Sequence, residues 1–169
     1  MKISMEPSLK PLKFAIIRSR FNEEVTGGLE QGAVAYLSEQ GIMPGTSPGT
    51  ANGTLDFFLA PGAFELPLMA KLLAKTKIYD GIICLGCVIK GDTAHFEFIS
   101  LGAATGLMQA SLETETPISF GVLTTYTDEQ AIIRSRPGTS ENKGREAAAA
   151  CFEVAVFKKK IRLLEGESD

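Results

Sequence analysis

The chain has 169 residues, 44% of them hydrophobic, which is enough for one globular domain with a continuous core and too little for two. Lys plus Arg number 17 against 20 Asp plus Glu; the formal charge of -3 excludes a broad basic surface for nucleic acid or anionic lipid, so any anion site is local. No apolar run reaches the roughly 20 residues of a membrane-spanning helix, which argues against a membrane protein.

Residues 1–11 contain Pro7 and Pro11 and lack apolar periodicity, so they are expected to form a flexible N-terminal arm unless a neighbouring subunit's sheet edge captures them. They also lack the pattern of a secretory leader. With an odd set of cysteines, Cys84, Cys87 and Cys151, the expectation is reduced thiols and a cytoplasmic setting. From residue 12 to residue 169 the pattern is that of a single domain. Apolar runs at 12–17, 55–60, 81–85 and 117–123 predict buried strands, each followed by helix-like sequence. Val25, Leu29, Ala33 and Leu37 form one apolar stripe ending before Gly41, and Leu66, Met69, Ala70 and Leu73 form another. Residues 44–54 are rich in Pro and Gly and predict a loop. Residues 99–112 and 144–164 predict two further helices. The last turns of the second carry Lys158, Lys159, Lys160 and Arg162, a solvated face that favours the helix dipole.

Strand–helix repetition with right-handed crossovers gives an α/β fold, a three-layer α/β/α sandwich around a four-stranded parallel sheet. Such sheets bind ligands beyond the carboxyl ends of their strands, which directs attention to the residues after each apolar run. After the first run comes Phe21, flanked by polar residues; its ring either stacks on a flat heterocycle or packs into the core. Glu65 follows Pro61-Gly62-Ala63-Phe64 at a helix start, where a carboxylate either caps the helix or accepts hydrogen bonds from a ligand.

The third run leads into Gly86-Cys87-Val88-Ile89-Lys90-Gly91-Asp92-Thr93-Ala94-His95. This stretch approaches a nucleotide phosphate loop, but Asp92 stands where that motif demands lysine. Cys84 and Cys87 match Cys-x-x-Cys without a second pair to complete a metal set, so they read as structural thiols. What remains is a turn whose backbone and Thr93 hydroxyl suit a single phosphate. His95, the sole histidine, follows it and either shuttles protons near neutral pH or fills a polar position. Arg134 and Lys143 are cations that either pair with a phosphate or stand as ordinary exposed residues.

Taken together, Arg20-Phe21-Asn22, Pro61-Gly62-Ala63-Phe64-Glu65-Leu66-Pro67, Val88-Ile89-Lys90-Gly91-Asp92-Thr93-Ala94-His95, Phe120-Gly121-Val122-Leu123-Thr124-Thr125 and Asn142-Lys143-Gly144 resemble the lumazine synthases, in that family's order, over residues 14–156. The resemblance implies a flavodoxin-like fold, extended by an N-terminal strand from a neighbour. It also implies condensation of 5-amino-6-(D-ribitylamino)uracil with 3,4-dihydroxy-2-butanone 4-phosphate, with no metal and no organic cofactor. By that pattern Phe21 stacks on the pyrimidine, Ala63, Phe64 and Glu65 line the ribityl site, and Cys87, Val88 and Ile89 present backbone groups to the ring. Asp92 and Thr93 border the phosphate, His95 is the general acid and base, and Lys143 lies near the same site. Phe120 and Arg134 come from the adjacent subunit of a homo-oligomer, a pentamer or a 60-subunit shell, and an association with riboflavin synthase is implied as well.

Some positions depart from the family's common pattern. Lys90 stands where Arg is frequent, Ala60 replaces Val, and Gly27-Gly28 weakens a helix by about 1 kcal/mol per glycine. Two rival readings are a riboflavin-synthase-type enzyme and a non-catalytic flavin or lumazine carrier. A carrier has no use for Thr93, His95 and Arg134 together.

Overall fold

Hydrophobic side chains on both faces of β1 set the architecture. The computed structural model describes residues 11–45 and 53–166. In β1 (Leu12–Ser19), Phe14 and Ile16 enter one core cluster while Ala15 and Ile17 enter another, so the strand reads as a continuous apolar run. It is followed by α1 (Glu23–Glu39), β2 (Ile42–Pro44), β3 (Gly53–Ala60), a single 3-10 turn (Ala63–Glu65) and α2 (Leu66–Lys75). The second half contains β4 (Gly81–Ile89), α3 (His95–Thr114), β5 (Ile118–Thr125), α4 (Asp128–Ser135) and α5 (Lys143–Leu164).

All strand pairings are parallel, and the sheet order is β2-β3-β1-β4-β5. Leu29, Leu37 and Phe152 from α1 and α5 cover one face, and Leu66, Ala70 and Leu107 from α2 and α3 cover the other. This is the expected three-layer α/β/α sandwich, with one correction: the sheet has five strands instead of four. The additional strand, β2, is three residues long and buries only Ile42, too short to carry a periodic signal. Pro44 therefore belongs to β2, and Gly53 and Thr54 to β3. Of the arm expected over residues 1–11, residues 1–10 lie outside the described residues, as do residues 46–52 of the loop expected over residues 44–54.

Asn142 joins the elements on the first face. It is almost fully buried, and its Nδ2 donates to the carbonyls of Gly28 (3.0 Å), Ser135 (2.8 Å) and Arg136 (3.1 Å), while its Oδ1 accepts from Arg145 N and caps α5. One amide thus ties α1, the end of α4 and the start of α5. The contact needs close backbone approach: a Cβ on Gly28 would sit 2.3 Å from Ser135 O, and one on Gly144 2.0 Å from Leu29 O. Gly28 is therefore a packing requirement, whereas Gly27 faces open space and carries only the helix penalty.

The basic run departs from the expected solvated face. Lys159 is buried, and Lys158 donates to the carbonyl of Glu115, just past α3, where Lys77 also donates to Thr114 O at 3.2 Å. Burial, then the nearby Arg162 and Lys77, pull the Lys158 ammonium below its ordinary pKa. Lys77 and Lys158 thus serve the carbonyls at the C-terminus of α3.

The contrast between adjacent glycines is directly measurable by urea unfolding. Gly27→Ala is expected to stabilise the fold by about 0.5 to 1 kcal/mol, whereas Gly28→Ala lowers stability because its Cβ has no room. Asn142→Ala, which leaves three carbonyls without their donor, is expected to cost about 2 to 4 kcal/mol.

Candidate active site

The strands end at unequal heights, and the step between them is the site. β1 pairs with β4 only as far as Arg18 opposite Leu85, whereas β5 follows β4 to Ile89 opposite Thr125. Residues 86–89 are therefore bordered by a strand on one side only. In the vacated space lies an open cleft of about 490 Å³, lined by Phe21, Asn22, Gly62, Ala63, Phe64, Glu65, Cys87, Val88, Ile89, His95 and Ile99. It sits where the chain order reverses between β1 and β4, the usual binding crevice of such sheets.

Local sequence explains how each side chain arrives there. Phe21 is 70% exposed, so the core-packing alternative is not met; its ring stands in the cleft beside Gly62. Asn22, the N-cap residue of α1, adopts the left-handed conformation (φ 54°), which turns the chain sharply out of β1. The turn Ala63–Glu65 precedes α2, and Pro67 occupies its first turn, where a missing N–H costs nothing. Glu65 makes no capping hydrogen bond to α2, so helix capping does not account for it; its Oε2 lies 3.0 Å from where a Gly62 Cβ would be, on the cleft side. Phe64 is exposed and packs one ring edge toward Gly102 of α3.

His95 opens α3 and lines the cleft. Asp92 and Thr93 lie on the exposed turn just ahead of it, outside the cleft lining, and Thr93 Oγ1 accepts from His95 N at 3.4 Å. No side chain caps α3 at Ala94. Lys90 reaches the first turn of α3, with Nζ 3.3 Å from Glu97 and 5.5 Å from the centre of the Tyr126 ring. It thereby links the ends of β4 and β5 to α3.

Arg134, Lys143 and Phe120 are not brought to this cleft. Arg134 and Lys143 line a second one, of about 410 Å³, with Thr124, Thr125, Tyr126 and Gln130 at the end of β5. Phe120 lies beside it, next to Lys143, Glu146 and Ala150. The Phe21 and Arg134 clefts share no lining residue. Arg134 Nη1 donates to Gln130 O at 3.0 Å, and Lys143 pairs with Glu146 at 2.7 Å. Arg134 rides on α4, a helix that the sequence reading missed although Thr127 and Gln130 mark its start: the Thr127 hydroxyl accepts from Gln130 N, and Gln130 Oε1 accepts from Tyr126 N. Asn22, Gly62 and Ile99 are cleft residues that the reading did not single out.

Cys87 lines the cleft, and its side chain belongs to the core cluster that holds Phe14 and Leu29; burial pushes its thiol pKa up to about 11 and raises Cys84 and Cys151 as well. The three cysteines are unpaired. Among the described residues no group of three His, Cys, Asp or Glu side chains comes together around a metal-sized space, and no helix is long and apolar enough to cross a membrane.

An open parallel α/β sheet with an aromatic, a carboxylate and a histidine around a cleft at its switch point defines a small-molecule enzyme domain. A model of the 6,7-dimethyl-8-ribityllumazine synthase family matches residues 11–159, and the chain belongs to that family. It is similar to 6,7-dimethyl-8-ribityllumazine synthase 1 of Caulobacter vibrioides, at 59% identity over 152 residues, or 90% of this chain and 94% of that protein. It is also similar to the 6,7-dimethyl-8-ribityllumazine synthases of Deinococcus radiodurans and Deinococcus deserti, each at 45% identity over 151 residues, 89% of this chain and 91% and 90% of those proteins.

Thiol titration checks the burial of the three cysteines. Because burial keeps the Cys87 thiol protonated well above pH 8, the folded protein should react slowly with an aromatic disulfide reagent at that pH, and release all three thiols rapidly once unfolded. Fast reaction of one thiol in the folded state would place Cys87 at the surface instead.

Proposed function

We propose that this chain is a transferase that condenses 5-amino-6-(D-ribitylamino)uracil with 3,4-dihydroxy-2-butanone 4-phosphate to 6,7-dimethyl-8-ribityllumazine, phosphate and water, the penultimate step of riboflavin biosynthesis. The observation that carries the reading is the convergence of Phe21, Glu65, the unpaired side of the end of β4 and the sole histidine on one cleft, in a chain of this family. Phe21 stacks on the pyrimidine, the backbone of Cys87, Val88 and Ile89 reads its edge, and Ala63, Phe64 and Glu65 receive the ribityl chain. The amine attacks the ketone and water leaves as the Schiff base forms; phosphate is then eliminated, the enol tautomerises to a ketone, and the ribitylamino nitrogen closes on that carbonyl with loss of a second water. His95 moves the protons. No metal or organic cofactor takes part in this scheme.

Asp92 and Thr93 border the phosphate, and Arg134 and Lys143 supply the positive charge that holds it and stabilises it as a leaving group. Since Arg134 and Lys143 line a different cleft from His95, the complete pocket forms between the His95 face of one copy and the Arg134 and Phe120 face of the next. Exposed apolar side chains support a homo-oligomer: Phe98, Leu101, Met108 and Leu112 recur along α3, and Val154, Phe157, Ile161 and Leu164 along α5. A pentamer, alone or in a 60-subunit shell, satisfies that head-to-tail arrangement. The three buried, unpaired thiols fit a reducing compartment, and we place the protein in the cytoplasm, with riboflavin synthase as the enzyme that consumes its product and a partner for association.

Mixing the purified protein with both substrates while following lumazine fluorescence and phosphate release tests this reading. Stoichiometric release of phosphate with product is expected. Binding of the ribitylaminouracil without phosphate release would establish a carrier. His95→Ala is expected to slow turnover by about ten- to a hundredfold with substrate binding kept, because holding the two reactants together survives the change. Arg134→Ala is expected to weaken the ketone phosphate by about 2 to 3 kcal/mol through loss of a charge-assisted contact.

A further inference from the structure

β1 stops short of the end of β4, and one side chain takes its place. In the parallel register, Arg18 lies opposite Leu85, so the backbone of Cys87 would next meet residues 20 and 21. Pairing with β4 has ended by then: Arg20 N still donates to Ala60 O of β3, at 3.0 Å, and at Asn22 the chain turns away in the left-handed conformation. Lys90 N–H reaches Thr125 O on β5, at 2.9 Å, so Cys87 and Ile89, which are out of phase with Lys90, turn their backbone groups to the vacated β1 side. There Asn22 Nδ2 donates to Cys87 O at 3.1 Å. The amide supplies the rung that a longer β1 would have made.

Asn22 is also one of three non-glycine residues with positive φ among the described residues, at φ 54° and ψ 55°. For an L-residue this conformation costs about 1 kcal/mol, and asparagine tolerates it better than most. The turn throws the Phe21 ring out into the cleft, while the side-chain bond pins that turn to β4. Ring and strand edge are thus held at a fixed separation by one residue.

We infer that Asn22 is a positioning residue for the pyrimidine: by holding the Cys87 carbonyl and fixing the turn after Phe21, it sets the Phe21 ring at a fixed height over the β4 edge at residues 87–89 that the heterocycle reads. This rests on the function proposed above. The role is specific to one substrate, because the phosphate-bearing partner is held by other residues. It also separates two properties of Asn22, its backbone conformation and its amide, which different substitutions remove.

Asn22→Gly keeps the left-handed turn and loses the amide, and Asn22→Asp keeps the shape but opposes a carboxylate to the Cys87 carbonyl. Affinity for the ribitylaminouracil, measured by direct titration without the second substrate, is expected to fall about five- to tenfold in both variants, the equivalent of one lost hydrogen bond. The KM for the ketone phosphate should stay within about twofold of the parent and Tm within about 2 °C, since an exposed turn contributes little to stability. Pyrimidine affinity of Asn22→Gly equal to that of the parent would overturn the inference, as would a parallel rise in both KM values with a lowered Tm, which marks a general structural role. If the parent protein itself fails to bind the pyrimidine, the functional reading falls and this inference with it. If the parent binds and turns over while Asn22→Gly matches it, only the inference falls.

Discussion

The structure depends on a mismatch of strand lengths. β4 continues to Ile89 with β5 beside it, while β1 leaves at Ser19. Every element of the cleft follows from that step. The unpaired side of β4 provides a backbone edge, the departing chain delivers Phe21 and Asn22, and α3 begins at His95 once β4 has ended. A flat ligand with hydrogen-bonding edges is the natural occupant of a place from which a strand is missing, because the edge of a sheet already presents spaced donors and acceptors.

A second constraint positions the cleft that carries Arg134 and Lys143. Asn142 holds the carbonyls of Gly28, Ser135 and Arg136, so the end of α4, which carries Arg134, and the start of α5, which carries Lys143, are fixed by a single buried amide. The segment Asn142-Lys143-Gly144 therefore combines a buried joint, a cation and a glycine that lets α5 approach Leu29 closely. Stability and site geometry are coupled here: loosening this joint displaces Arg134 and Lys143 together. Within one chain the cation face and the histidine face remain separate clefts, so assembly is part of the proposed catalytic device.

Much of this was legible in the sequence for definite physical reasons. Strands β1, β3, β4 and β5 announced themselves as apolar runs, most clearly β1 and β4, which are covered on both faces, and the stripes through Leu29, Leu37, Leu66 and Ala70 reported helices against the sheet. β2 was invisible because three residues carry no period. Short and largely exposed, α4 was signalled only by its Thr127 and Gln130 cap. For Phe21 and Glu65 the sequence left two readings each; in the structure the Phe21 ring is exposed in the cleft and Glu65 makes no capping bond, neither of which can be read from local sequence. The role of Asn22 depends on a bond to a residue 65 positions away and on a backbone angle, neither of which has a local sequence signature. Gly28 looked like a weakness, because the helix penalty is visible in sequence and the nearby Ser135 carbonyl is not.

The central claim is that one pocket draws His95 from one copy and Arg134 from the next. Coexpression of His95→Ala and Arg134→Ala chains tests it, with mixing of the two in each oligomer verified by native mass spectrometry. In a head-to-tail ring with equal random mixing, about a quarter of the pockets regain both residues, and activity at matched total protein should rise well above that of either parent. Mixed oligomers whose activity is only the average of the two parents would contradict the account.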